Sequence, residues 1–291
     1  MDRSSAATSI RDSCRSGSVG RSLQYACPRC RGKVDLFVLD GRCPACGFQP
    51  RNIDGVLSFV NDLETNEWQR LFDAQAKRPD ADTSAAIFYR CTLQHRHMID
   101  GVRRVCGSLA PDARALDVGC GNGILWAEAF GTKNVIGVDY SHGMCKLARA
   151  RGMLAYHANA LALPFAADQF DLVYSAEAIQ YIDDIQGVLR ELGRVCRPGG
   201  HIVISTQNRS SIARRAVLAA KGLLGRASSQ DPIYVRSGED IAAAADGLPL
   251  AIDSVWWLHF PFRPLYRTST TERPFKSLAS NVIIRFVRTD N

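Results

Sequence analysis

The sequence holds no run approaching the ~18 uninterrupted apolar residues of a membrane-spanning helix, so no such span is expected. Its first 24 residues contain seven Ser and four Arg but no apolar segment, so a secretory leader is not expected there. Their Ser/Arg-rich composition imitates an organelle transit peptide, but so few apolar residues are better read as a disordered tail over 1–24. The ten cysteines lack the dense spacing of a secreted disulfide scaffold, which points to a reducing, cytoplasmic setting. With 46% hydrophobic and 22% charged residues, wholesale disorder is excluded.

The net charge of +7 is unevenly placed. Residues 1–51 and 206–291 each carry +5, whereas residues 52–112 carry −2 and 113–205 carry −1. Basic flanks of this kind can meet phosphate or an anionic surface; net charge bears on association, not on fold.

Four cysteines form two CxxC pairs, Cys27-Pro-Arg-Cys30 and Cys43-Pro-Ala-Cys46, twelve residues apart. Each turn lets two thiolates converge, and two turns complete a tetrahedral sulfur set. Lys33–Leu39 between them is strand-like, and Asp40-Gly41 is a hairpin signal. The layout predicts a zinc ribbon over 25–58 whose Zn2+, held by four protein ligands, is structural. A redox CxxC is the competing reading, but the βαβ context it normally has is absent. A helical lead-in is expected over 59–107.

From residue 108 the chain predicts an α/β domain running to 291. Ala115–Gly119, Asn134–Asp139, Met153–Tyr156, Phe170–Tyr174 and His201–Ser205 read as strands, separated by helical stretches near 124–130, 143–151 and 185–196. Such alternation predicts a Rossmann-like doubly wound sheet, with ligands at the carboxyl ends of its strands. The glycine loop is Asp117-x-Gly119-x-Gly121-x-Gly123. It does not meet the dinucleotide pattern GxGxxG, since Ile124 holds the third position, and it lacks the Gly-Lys-Ser/Thr ending of a phosphate loop. Asp139, twenty residues after Gly119, ends the second strand, where a carboxylate can take ribose hydroxyls.

Leu116–Gly123, Gly137-Val-Asp139, Asn159–Phe165, Phe170-Asp-Leu-Val173 and Leu192–Gly200, in this order, resemble the class I S-adenosylmethionine-dependent methyltransferases, in the group of the ubiquinone/menaquinone C-methyltransferases. The resemblance implies a seven-stranded sheet with its last strand antiparallel. It implies that Asp117, Gly119, Cys120, Gly121 and Gly123 hold the methionine end of S-adenosylmethionine, and that Asp139 and Tyr140 flank the ribose. Ala160 and Leu161 would lie against the adenine, with the Asn159 amide oxygen accepting from its amine. Ser175 and Ala176 would line the transfer cleft. Relatives often carry a His where this chain reads Gln180-Tyr181, so either residue must take over any role of that His.

The donor is already activated, so positioning supplies most of the rate, and a base is needed only if the acceptor loses a proton. His95, in phase with the apolar positions of 87–106, Glu177, Tyr181 and His259 are the candidates. Residues 209–240 are expected as a lid or insert, its first part a basic amphipathic helix that can cover a pocket, rest on an anionic membrane or simply pack on the surface. Val255–Phe262 is dense in aromatics and suits the wall of a hydrophobic acceptor pocket. Three functions follow: methylation of a small or lipid-like acceptor, methylation of RNA with the zinc ribbon as RNA contact, or cofactor-holding interaction without catalysis. Oligomeric state is not readable.

Overall fold

The structure is a computed structural model and describes residues 22–34, 41–60, 66–83, 92–223, 234–258, 265–268 and 276–290. Residues 1–21 of the tail, most of the strand expected over 33–39, residues 224–233 of the insert and His259–Phe262 lie outside them.

Two short pairs open the chain: β1 (Tyr25–Ala26) with β2 (Lys33–Val34), and β3 (Arg51–Ile53) with β4 (Val56–Ser58). Then come α1 (Glu67–Gln75) and α2 (Thr92–Cys106). The central unit is β5 (Ala115–Val118), α3 (Ile124–Phe130), β6 (Val135–Asp139), α4 (His142–Ala150), β7 (Leu154–His157), β8 (Phe170–Ala176), α5 (Ile185–Val195) and β9 (Cys196–Gln207). It closes with α6 (Ile212–Leu223), α7 (Gly238–Ala244), β10 (Leu250–Leu258), β11 (Leu265–Thr268) and β12 (Asn281–Arg288).

One ten-stranded sheet runs β11-β10-β12-β9-β8-β5-β6-β7-β4-β3. Within it lie the expected seven strands, β5 to β10 and β12, with β12 inserted antiparallel between β9 and β10. The three additional strands extend its edges. Residues 51–58, expected within the ribbon, join this sheet: β4 meets β7 in parallel at Ser58 and His157, and Asp54-Gly55 turns the chain back through two positive φ angles, 48° and 82°. The Arg197–Gly200 run, between the helix expected near 185–196 and the strand expected from His201, sits inside β9 as an out-looped stretch, since pairing jumps from Phe170–Cys196 to Leu172–His201.

Alternating strand residues feed two cores. Ala115, Val135, Ala155 and Val203 pack with Met98 and Val102 of α2 and Trp126 of α3. Leu116, Ile136, Val138 and Ile204 pack with Val188, Leu189 and Leu192 of α5, and with Tyr25 and Val34 of the first pair. Helix starts are fixed by side-chain caps that satisfy otherwise orphaned N–H groups. Asn66, Ser141 and Asp184 accept from Gln69, Met144 and Gly187, and Ser237 with Asp240 closes a capping box.

Candidate active site

The carboxyl ends of β5, β6, β7 and β8 surround a cavity of about 730 Å³. Helix α1 and the 3-10 turn Ile179–Tyr181 contribute further lining. Its described lining includes six carboxyl side chains, Glu67, Asp117, Asp139, Glu177, Asp183 and Asp184, and no Lys, Arg or His. In a chain of charge +7 this is an acidic interior under a basic exterior.

Asp139 is oriented by backbone: Gly121 N–H donates to Oδ2 and Ser141 N–H to Oδ1, both at 2.8 Å. The Tyr140 N–H also acts on this carboxylate, which still has acceptor capacity left for a ligand hydroxyl. Burial pushes this carboxyl up to about 6, with the N–H bonds opposing the shift. Asp117, 3% exposed, is pushed up to about 8, first by burial and then by the charge of Asp139. Two buried carboxyls facing a cavity without a basic side chain form a receptor for a ligand that brings a cation and hydroxyls.

Glu177 sits just past β8 with φ of 54°, an uncommon backbone state for a side-chain-bearing residue. Ser205 Oγ (3.1 Å) and Asn281 Nδ2 (2.9 Å) donate to its Oε1, yet burial outweighs both and pushes the carboxyl up to about 7. Also in the lining, Tyr181 meets Trp68 and Phe72 of α1 at ring-centroid distances of 4.8 and 5.3 Å, making an aromatic wall.

Of the residues expected at the cofactor, Asp117, Gly119, Cys120, Gly121, Asp139, Tyr140, Asn159, Ala160, Leu161 and Ser175 line this cavity; Gly123 does not. Several of them have duties to the chain itself. A Cβ on Gly119 (φ 78°) would meet the Ala178 Cβ at 2.2 Å, and one on Gly123 (φ 75°) would crowd Ala148, so these glycines admit neighbouring chain rather than ligand. Ser175 Oγ donates to Val118 O (2.9 Å). The Asn159 oxygen, expected to face the adenine amine, accepts the Leu161 N–H at 2.9 Å, leaving one lone pair. Gln180 is buried, its Oε1 accepting from Thr206 Oγ1 and Gln207 N–H (both 3.3 Å), so it ties the 3-10 turn to β9.

Among the base candidates, Glu177 and Tyr181 line the cavity and His95 does not. His95 Nε2 pairs with Glu128 of α3 at 3.1 Å, which packs the α2–α3 interface away from the strand ends. His97, off the apolar face in sequence, is buried as well. His259 lies outside the described residues. Sequence reasoning missed Trp68, Phe72 and the cap Asn66; the signal was an N-cap before two aromatics at i,i+4 spacing.

The four sulfurs of Cys27, Cys30, Cys43 and Cys46 lie within 4.8 Å of one another, with Cys27–Cys46 and Cys30–Cys43 at 3.5 Å. The knuckle they form is docked on the chain after β7. Ala26 N–H donates to Pro164 O (3.1 Å), Ala166 N–H to Gln24 O (3.0 Å), and the hydroxyls of Tyr25 and Tyr156 bond at 2.7 Å. Arg31 reaches the O atoms of Leu161 (3.3 Å) and Leu163 (3.5 Å) and pairs with Glu191 at 2.8 Å. Glu191, 5% exposed on α5, also accepts from Leu163 N–H and is clasped by Arg194. One buried carboxylate thus joins the knuckle, α5 and the loop that carries Leu161.

Residues 116–204 match the family described as the methyltransferase domain. The demethylmenaquinone methyltransferase of Mycolicibacterium paratuberculosis is 30% identical over 198 residues, 65% of this chain and 84% of that protein. An S-adenosylmethionine-dependent methyltransferase of Thermotoga maritima shares the fold with a TM-score of 0.57 at 21% identity, covering 76% of this chain and 99% of that one. The geranyl diphosphate C-methyltransferase of Streptomyces coelicolor, solved with Mg2+, geranyl diphosphate and S-adenosylhomocysteine, superposes with a TM-score of 0.50 at 15% identity, covering 74% and 88%.

Proposed function

The chain belongs to the class I S-adenosylmethionine-dependent methyltransferases, and from that premise we propose that it methylates an uncharged, lipid-like acceptor carrying a flat ring. The acid-lined cavity without a basic side chain among its described lining carries this reading. S-adenosylmethionine is cationic at its ammonium and sulfonium, so Asp117 and Asp139 suit it. When bound, it supplies an activated methyl group. Asp139 holds ribose hydroxyls, Asp117 faces the methionine cation, and Ala160 and Leu161 support the adenine. The further carboxyls of the lining, Glu67, Asp183 and Asp184, disfavour an acceptor that brings phosphates without a metal ion, which counts against an RNA strand. Arg31 of the knuckle is paired with Glu191, which further weakens an RNA-reading role. The aromatic wall of Trp68, Phe72 and Tyr181 offers faces to a ring, in keeping with the quinone named for the mycobacterial relative.

Glu177 is the base in this proposal. With its carboxyl near 7, it accepts a hydroxyl proton at neutral pH and sheds it without a large mismatch. The four sulfurs suit one structural Zn2+, since a tetrahedral ion with ~2.3 Å bonds brings sulfurs to such separations.

The test is to incubate the protein with methyl-labelled donor, total RNA and a short-chain prenylated hydroquinone. Label is expected in the organic phase; label in RNA overturns the acceptor assignment. Glu177→Gln should lower kcat about 100-fold and remove the rise in rate as pH passes 7. An unchanged pH profile would dismiss Glu177 as the base.

A further inference from the structure

Helix α6 covers a mixed side, two cations and one leucine, and leaves most of its apolar residues outward. Arg214, Leu218 and Lys221, at i, i+4 and i+7, are the positions partly covered by the protein. Ile212, Ala213, Ala216, Val217, Ala220 and Leu223 are exposed, and no residue of the helix is buried. Among the described residues, the exposed large hydrophobics are Ile212 (54%), Val217 (52%) and Leu223 (90%) of α6, and Leu278 (56%) of the 3-10 turn Lys276–Leu278. That turn lies against α6, held at the helix root by buried Asn208, which donates to Lys276 O (2.9 Å) and Ala279 O (3.0 Å). These four thus belong to one corner of the fold, the helix and the turn against it, with Ile212 and Leu223 on one side of the helix and Val217 on its flank. Residues 209–226 carry Arg209, Arg214, Arg215, Lys221 and Arg226 with no Asp or Glu; Arg209 is paired with Asp240 at 3.1 Å, and Arg215 is exposed.

An apolar patch in an all-basic segment matches the chemistry of one partner: a bilayer surface with anionic headgroups over hydrocarbon. We propose that α6 and the adjoining turn seat the protein on an anionic membrane, with Ile212, Val217, Leu223 and Leu278 entering the interface. The corner is joined to the cavity. Arg214 Nε donates to Gln207 Oε1 at 3.1 Å, and Gln207 lines the cavity rim with Tyr234. Seating α6 brings that rim to the surface where a prenylated acceptor resides. This last step rests on the lipid-like acceptor proposed above; the seating itself does not.

The experiment is sedimentation of the full chain, without methyl donor, with vesicles of phosphatidylcholine alone or mixed with 30% phosphatidylglycerol. Binding is expected only to the anionic vesicles, weakening as salt rises. Ile212→Ser with Val217→Ser and Leu223→Ser should lower the partition roughly tenfold or more. Arg215→Glu with Lys221→Glu should abolish it, and circular dichroism should show both variants folded. Equal binding to neutral vesicles, no binding to either, or wild-type partition by the serine variant overturns the proposal. So does a wild-type dimer in gel filtration that the serine variant dissolves, because a second copy would then cover the patch. Vesicle binding without methylation of a prenylated acceptor would sink the acceptor reading and leave the seating standing.

Discussion

The two basic ends of the chain, equal in net charge, are built in opposite ways. At the front, the cysteine knuckle is sewn into the body: Tyr25, Cys27, Val34 and Cys43 belong to the main core, and Arg31 is engaged by Glu191 and two carbonyls. At the back, α6 buries no residue and keeps its apolar side outward. Equal surplus charge thus has two physical meanings. In the knuckle a cation is an internal fastener that joins three elements; on α6 Arg214 and Lys221 are only partly covered and Arg215 is exposed. Only burial and pairing tell them apart.

This contrast can be broken by experiment. The largest effect is expected from metal removal: a chelator should cost on the order of 3 kcal/mol or more of unfolding free energy. It should also weaken S-adenosylmethionine binding, because the knuckle supports the loop of Leu161. Denaturation with and without chelator measures the first and titration calorimetry the second; indifference of both would make the knuckle an appendage like α6. Next comes Glu191→Ala, which leaves Arg194 and the Leu163 N–H without their shared acceptor and should cost about 3 kcal/mol in urea unfolding. A loss below 1 kcal/mol would show that the hub is decorative.

Arg31→Ala should be milder, since its side chain is 39% exposed and its ion pair is partly screened. Roughly a three- to tenfold rise in the dissociation constant for S-adenosylmethionine is expected, by calorimetry, from losing hydrogen bonds that order the loop. Smallest of all, Val217→Ser on α6 should change unfolding free energy by no more than about 0.5 kcal/mol. A larger loss would mean that the helix is packed in solution and that the contrast fails.

Acidity adds a check on the cavity itself. The carboxyls of Asp139, Glu177 and Asp117 sit at about 6, 7 and 8 in the fold, above their usual range. Their burial therefore weighs least below the ordinary carboxylate pKa, and stability falls as pH rises from about 4 towards 8. A cationic ligand should reverse part of that loss, so the thermal shift from S-adenosylmethionine should grow with pH over this window.

The central fold was legible because buried parallel strands read as short apolar runs, and because Gly119, Gly121 and Asp139 occupy fixed places at strand ends. The edge was harder. Residues 51–58 hold strands of three residues each with no apolar alternation, and their membership in the sheet rests on one bridge to β7. The Asp54-Gly55 turn was the available clue. At the site, residues on strand ends were readable from spacing, whereas Trp68 and Phe72 reach the cavity from a helix far away in sequence. Glu191 was hidden for another reason: a lone acid within the apolar face of α5 shows its role only once Arg31, 160 positions earlier, arrives beside it.

That separation sets a timetable for biosynthesis. Residues 27–46 leave the ribosome before the partners that dock them, which run from Tyr156 to Glu191 and follow over a hundred codons later. At about 5–20 residues per second the Arg31–Glu191 gap alone corresponds to roughly 8–32 s of translation. Throughout that interval the nascent thiols have no body to fold against. On the zinc reading proposed above, the ion is taken up either by a free-standing loop or only after the rest of the polypeptide is made.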